Sequence, residues 1–175
     1  MNEITVPTHT FALPSGEVVT VDAADRELVE AAGPWFSLRQ SHTTYVLADC
    51  RKPDGSPTKV LLHRLLLDPP AGMDVDHVNH NGLDNVRANL RVCTRSQNMA
   101  NSPSHRGGSS RFKGVCWHKR QSKWQARCSV DGREVYLGYF TAETDAARAY
   151  DHFAAVQWPG FCWLNRDHFD LTEVS

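Results

Sequence analysis

The chain of 175 residues lacks long apolar runs. None approaches the roughly 20 residues a helix needs to cross a bilayer, so no helical membrane span is expected. Cysteine is sparse and irregular. Cys50, Cys93, Cys116, Cys128 and Cys162 are odd in number and far apart, with no Cys-x-x-Cys pair. That pattern argues against a disulfide framework and the usual zinc knuckles, and it fits a reducing cytoplasm. Residues Met1 to Thr5 show no basic patch leading into an apolar run, so no secretory signal is expected.

Acidic residues are nearly missing from one stretch, although the whole chain has a formal net charge of −1. Residues 87–136 hold 11 Lys and Arg and only two acids, Asp131 and Glu134, a net of +9. Residues 1–86 carry 6 basic against 12 acidic side chains, and residues 137–175 carry 2 against 6. Fifty residues at +9 read as a polyanion-binding surface. Phe112, Trp117, Trp124 and Tyr136 are threaded through them, which implies a folded platform and not a basic tail.

Turn and cap residues organise the chain. Gly16 to Val21 alternates like a strand, and Asp22 reads as the N-cap of a helix running to Gly33-Pro34. Thr43–Ala48 and Thr58–Leu62 read as strands around the turn Lys52-Pro-Asp-Gly55, and Leu61–Leu67 is apolar up to Pro69-Pro70. Residues 101–110 are small and polar and read as a flexible linker. Beyond it Phe112–Trp117, Lys123–Val130 and Arg133–Phe140 read as three antiparallel strands, with Asp131-Gly132 as the hairpin turn between the last two. Thr141 reads as the N-cap of a helix ending before Pro159-Gly160. Alternation places Trp124, Ala126, Cys128 and Val130 toward that helix and Gln125, Arg127 and Ser129 on an uncovered face. A sheet with one free basic face can enter a DNA groove as a β-ribbon.

Residues 75–98 concentrate chemistry-bearing side chains. Met73–Val78 and Asn89–Val92 read as short strands, and Thr94-x-x-Gln97 reads as a capping box opening a helix that carries Asn98. Hydrolysing a phosphodiester takes a base to activate water and a cation to absorb charge on the phosphate. His77 suits the base, since imidazole titrates near neutrality. Asp76 suits a hard divalent ion, and Asn98 can add an amide oxygen, leaving room for water and phosphate oxygens as Mg²⁺ prefers. Asn89 could fix the His77 ring. Singly, each residue has a plainer reading: a turn for Asp76-His77, an Asx-turn for Asn89, helix surface for Asn98.

Together, Asp76-His77, Asn89-Leu-Arg-Val92 and Asn98 resemble the HNH motif of phage and intron-borne homing endonucleases, and Leu62-His63-Arg64-Leu65 resembles a stretch that precedes it there. The resemblance implies a ββα-metal core with His77 as general base, Asn89 orienting it, Asp76 and Asn98 binding Mg²⁺ (or Mn²⁺), and intron homing as the biological setting. A zinc site from His63, His77 and His80 is set aside, because it would consume the base and has no thiolate ligand.

Lys113-Gly-Val115, Lys123-Trp124, Tyr136-Leu-Gly-Tyr-Phe140, Ala146-Ala-Arg-Ala-Tyr-Asp151 and Leu164-Asn165 resemble the plant Apetala/ethylene-response-factor DNA-binding domain. In that family the outer sheet face reads the major groove. Here the face would carry Cys116, Arg127, Ser129, Glu134 and Tyr136, with Lys113 at its edge.

The expected fold class is therefore α+β: a mixed β unit leading into the HNH core over 1–100 (core about 73–100), a linker at 101–110, and at 111–166 a three-stranded sheet packed on one helix. The expected function is metal-dependent cleavage of double-stranded DNA. Its expected DNA contacts are Arg106, Lys113, Arg120, Lys123, Arg127 and Tyr136, with Arg127 the best placed to read guanine. The alternative is a transcriptional regulator with an inactive motif. The expected setting is the cytoplasm of a bacterial host, with a phage as one source of the gene and no obligate protein partner.

Overall fold

Alternating apolar residues build the first elements. In the computed structural model, which describes residues 6–40, 42–104 and 107–168, the chain divides into two compact units, residues 1–94 and 95–175. In the first unit β1 (Thr8–Ala12) pairs antiparallel with β2 (Val18–Asp22), burying Val19 and Val21. The helix expected from Asp22 begins later: Ala23–Asp25 is a 3-10 turn and α1 spans Arg26–Ala32. Asp22 makes no cap. Its carboxylate instead accepts the backbone N–H of Arg87 at 3.0 Å, while the Arg87 guanidinium takes both oxygens of buried Asp25 at 2.7 to 3.2 Å.

A second sheet orders β3 (Trp35–Arg39), β4 (Thr44–Arg51) and β5 (Pro57–Leu61) in an antiparallel meander, with the expected turn Lys52–Gly55 between the last two. The apolar run that follows is α2 (Leu62–Leu67), which buries Leu62, His63 and Leu66. β6 (Asp74–His77) then pairs antiparallel with β8 (Leu90–Cys93). The loop between them carries a two-residue strand, β7 (Asp84–Asn85), which runs parallel to β2. One core of Leu13, Val19, Val21, Val29, Trp35, Val46, Ala48, Leu62, Leu66, Val75 and Leu90 unites these elements.

The second unit opens with α3 (Arg95–Asn101), earlier than the boundary expected at 101–110. The reason is packing: Ala100 is buried with Cys128, Tyr150, Ala154 and Trp158. Two serines of the segment expected as a linker make hydrogen bonds within the second unit. Ser109 Oγ accepts the Trp117 N–H at 2.8 Å, and Ser110 Oγ donates to Glu143 at 2.6 Å. β9 (Val115–His118), β10 (Lys123–Val130) and β11 (Arg133–Phe140) form the expected antiparallel sheet, and Asp131 and Gly132 both take the positive φ of a tight hairpin turn. α4 (Glu143–Gln157) covers one face; its N-cap is Ala142, without a side-chain cap, and not Thr141.

Close approach fixes Gly114. A β-carbon there would stand 2.0 Å from the Tyr150 ring and 2.6 Å from the Arg127 carbonyl, and φ is +73°. At the chain's far end, the buried Asn165 amide exchanges two hydrogen bonds with the Lys113 backbone (2.8 and 3.1 Å), and Asp151 accepts the N–H groups of Asn165 and Arg166.

Candidate functional site

His77 ends β6 with its side chain inside the first unit, 4% exposed. Its Nε2 lies 3.2 Å from Asn85 Oδ1, and Asn85, on β7, is wholly buried. The His63 ring from α2 stands edge-on to it, centroids 5.0 Å apart, and Tyr45 from β4 touches both, at 5.5 Å from His63 and 5.8 Å from His77. Burial, the largest influence, pulls the His77 pKa below that of a free imidazole, against the opposing pull of Asn85, Asp76 and Asp84. Burial, then His77, pulls His63 down to about 3, so both rings are neutral at pH 7. Burial, with Asp76, pushes the Tyr45 phenol up.

The loop from β6 to β8 is held by an amide network. Asn89 Oδ1 accepts the Asn79 N–H at 3.0 Å, and its Nδ2 donates to Asn79 Oδ1 at 3.0 Å and to the Asp84 carbonyl at 2.7 Å. Asn89, expected to orient His77, thus spends its amide on the loop, and the ring's own hydrogen bond goes to Asn85. Gly82 lets the loop press on β4: its N–H donates to Thr43 Oγ1 at 2.8 Å, and a β-carbon would meet the Thr44 carbonyl at 2.5 Å.

Asp76 alternates to the other side of β6, opposite Arg91 in register, and is 8% exposed. Its Oδ2 takes Arg91 Nε and Nη2, each at 2.8 Å. Among the described residues no group of three or more His, Cys, Asp or Glu is arranged to hold a metal ion. An ion here would rest on the Asp76 carboxylate, amide oxygens and water, a donor set that suits Mg²⁺, and Arg91 would have to share its oxygen. Asn98, the second expected ligand, is half-buried on α3 in the other unit.

In the second unit the face of the sheet turned away from α4 carries Arg127, Tyr136 and Lys123, all exposed, and Arg120 is exposed in the β9–β10 turn. Arg127 is paired with Glu134 at 2.8 Å in solvent. A bulge opposite Ala126/Arg127 inserts one extra residue in β11, so Tyr139 joins Tyr136 on this face, with rings 5.3 Å apart and His118 5.0 Å beyond. Lys113 is placed differently from the other expected DNA contacts. Its ammonium donates to the carbonyls of Met99, Ala100 and Ser102 at 2.6 to 2.7 Å, and burial draws it down to about 8. Arg106 lies outside the described residues.

Residues 68–100 match the HNH endonuclease family. The matched segment runs from before β6 into α3, so it contains Asp76, His77, Asn89 and Asn98. The chain is 28% identical over 65 residues to Protein 3.8 of Escherichia phage T7, covering 37% of this chain and 54% of the phage protein. It is also 42% identical over 55 residues, 30% of this chain, to the AP2-like ethylene-responsive transcription factor AIL7 of Arabidopsis thaliana. With APETALA2-like protein 2 of Oryza sativa subsp. japonica it shares 40% over 71 residues, 40% of this chain. It spans only 11% and 15% of those two plant proteins, and about half of the phage protein. No solved structure matches the chain. No helix among the described residues is long and apolar enough to cross a membrane.

Sequence reasoning did not single out Asn85 or Tyr45. Asn85 was hidden in a run that reads as turn chemistry, and Tyr45 in an ordinary strand pattern. His63 had a signal, its place in the Leu62-His63-Arg64-Leu65 stretch, but no role.

Proposed function

We propose that the protein is a metal-dependent HNH endonuclease of homing type that hydrolyses double-stranded DNA, targeted by the exposed sheet of its second unit. The observation that carries this is a buried, neutral His77 at the end of β6, held by a hydrogen bond to its ring inside the HNH segment. A neutral imidazole is the form that can accept a proton. His77 takes a proton from water, the water oxygen bonds to phosphorus, and the bond to the leaving oxygen breaks with its electron pair going to that oxygen. Asp76 and Asn98 are the proposed oxygen ligands of Mg²⁺ or Mn²⁺, which would supply charge neutralisation at the phosphate. Asn89 serves by holding the loop between the two strands. Arg120, Lys123, Arg127 and Tyr136, with Arg106, are the proposed DNA contacts; Lys113 serves that face indirectly, by anchoring α3.

The test is incubation of the full chain with plasmid DNA, with and without Mg²⁺ or Mn²⁺. Metal-dependent nicking is expected, and His77→Ala should abolish it while DNA binding persists, a loss of several powers of ten in rate. Cutting by His77→Ala at the wild-type rate refutes the assignment.

A second reading, a DNA-binding regulator whose HNH segment no longer cuts, is favoured by the similarity to plant proteins named as transcription factors and by the Arg91 guanidinium on Asp76. It predicts DNA binding with no cleavage under any divalent ion.

A further inference from the structure

An imidazole has two nitrogens, and what one touches decides what the other can do. His77 Nε2 lies 3.2 Å from Asn85 Oδ1. Whether an amide presents oxygen or nitrogen is settled by its other neighbour, and here that neighbour is the Gly82 carbonyl, 3.1 Å from Asn85 Nδ2. A carbonyl only accepts, so the amide nitrogen must face it. Turning the amide over would set two acceptors against each other in a place with no exposed surface. The Asn85 oxygen therefore faces the ring, and an oxygen acceptor there requires the proton on Nε2.

Gly82 is itself fixed. Its N–H is held by Thr43 Oγ1, and the Thr44 carbonyl leaves no room for a β-carbon. Thr43, Gly82, Asn85 and His77 thus form one chain of positions running from the residue before β4 to the end of β6. The hydrogen bond of the His77 ring runs from Nε2 to Asn85, which leaves Nδ1 as the ring's other nitrogen.

We propose that Asn85 is the positioning residue for His77: it holds the imidazole as the Nε2–H tautomer, so that Nδ1 carries the lone pair that takes the proton from the attacking water. The inference rests on the nuclease reading above and gives to Asn85 the ring-holding task that the HNH resemblance assigns to Asn89. The arrangement needs no ring rotation. When Nδ1 takes its proton, Nε2–H goes on donating to Asn85, now as a charge-assisted bond.

Two measurements decide it. In the wild-type full chain, with histidine ¹⁵N-labelled and no DNA present, multiple-bond ¹H–¹⁵N correlation at neutral pH should show Nε2 protonated and Nδ1 bare. The His77 signals are identified by their loss in His77→Gln. A proton on Nδ1 overturns the proposal. In the plasmid assay at saturating DNA, Asn85→Leu removes the acceptor and should slow nicking roughly 100-fold or more with DNA affinity unchanged. Asn85→Asp keeps an oxygen against Nε2 and should stay within about tenfold of wild type. Asn85→Leu that cuts within roughly threefold of wild type overturns the proposal. Should Asn85→Leu fail to fold, judged by circular dichroism, the wild-type spectrum still decides. A wild-type protein that cuts nothing removes the nuclease reading, and a proton on Nδ1 removes the role of Asn85, so the two failures are read separately.

Discussion

Acid should loosen the first unit through His63. The side chain is 5% exposed, and its Nδ1 is buried with no hydrogen-bond partner. Burial, reinforced by His77, lowers its pKa to about 3 from an ordinary 6.5. Between those two values the unfolded chain binds a proton that the fold refuses, so stability falls as pH drops through the window from about 6.5 toward about 3. Linkage sets the size: from pH 7 to pH 5 the loss is about 2 kcal/mol from His63 alone. His77, displaced in the same direction, adds to it.

His63→Leu removes the titration and keeps a side chain of similar bulk. It also removes a buried nitrogen whose missing partner costs about 1–3 kcal/mol, so the variant should be no less stable than wild type at pH 7. The assay is native-state hydrogen exchange of peptides covering α2 and β6, corrected for the intrinsic pH dependence of exchange. Wild type should lose at least about 2 kcal/mol of opening free energy between pH 7 and pH 5. His63→Leu should lose clearly less. An equal loss in both proteins refutes the assignment of acid sensitivity to His63.

Other outcomes follow from the same geometry. Lys113→Met deletes an ammonium that holds three carbonyls at the end of α3; it should cost about 2 kcal/mol and speed amide exchange near Ser102, which denaturant titration and exchange would register. Gly114→Ala forces a β-carbon into the Tyr150 ring and Arg127 carbonyl at positive φ; a loss of at least about 2 kcal/mol in thermal or chemical unfolding is expected. DNA affinity should fall with salt: if about six phosphates are neutralised, log affinity against log salt has a slope of roughly −5, measurable by fluorescence anisotropy. Arg127→Ala should blunt sequence preference by about 1–3 kcal/mol at one base pair with little change in that slope, since Arg127 is proposed to read a base.

Much of the second unit was legible in the sequence because its signals are local. The alternation from Lys123 to Val130 and the Asp131-Gly132 turn delimit β10 and β11 at the residues the structure gives them. The apolar spacing of Ala146, Tyr150 and Phe153 announces α4, whereas the helix is entered at Ala142, one residue beyond the expected cap at Thr141. Asp22 failed as a cap for a visible reason: its carboxylate serves Arg87, 65 residues away, which no local pattern announces. β1 and β3 were missed because half-buried five-residue strands alternate no more clearly than loops, and β7, two residues long, carries no period at all.

The candidate site divides along the same line. A motif records which side chains recur at fixed spacing, and Asp76, His77, Asn89 and Asn98 were readable from that spacing alone. It does not record what each side chain touches once the loop closes. Asn79, Asp84, Asn85 and Asn89 lie within eleven residues and offer the same amide and carboxylate chemistry, so sequence could not assign partners among them. The assignment came from β7 pairing with β2, a contact across 64 residues that brings Asn85 to the His77 Nε2 and leaves Asn89 to the loop. Sequence singled out His77; the residue its ring bonds depended on a two-residue strand anchored on the opposite end of the unit's own chain.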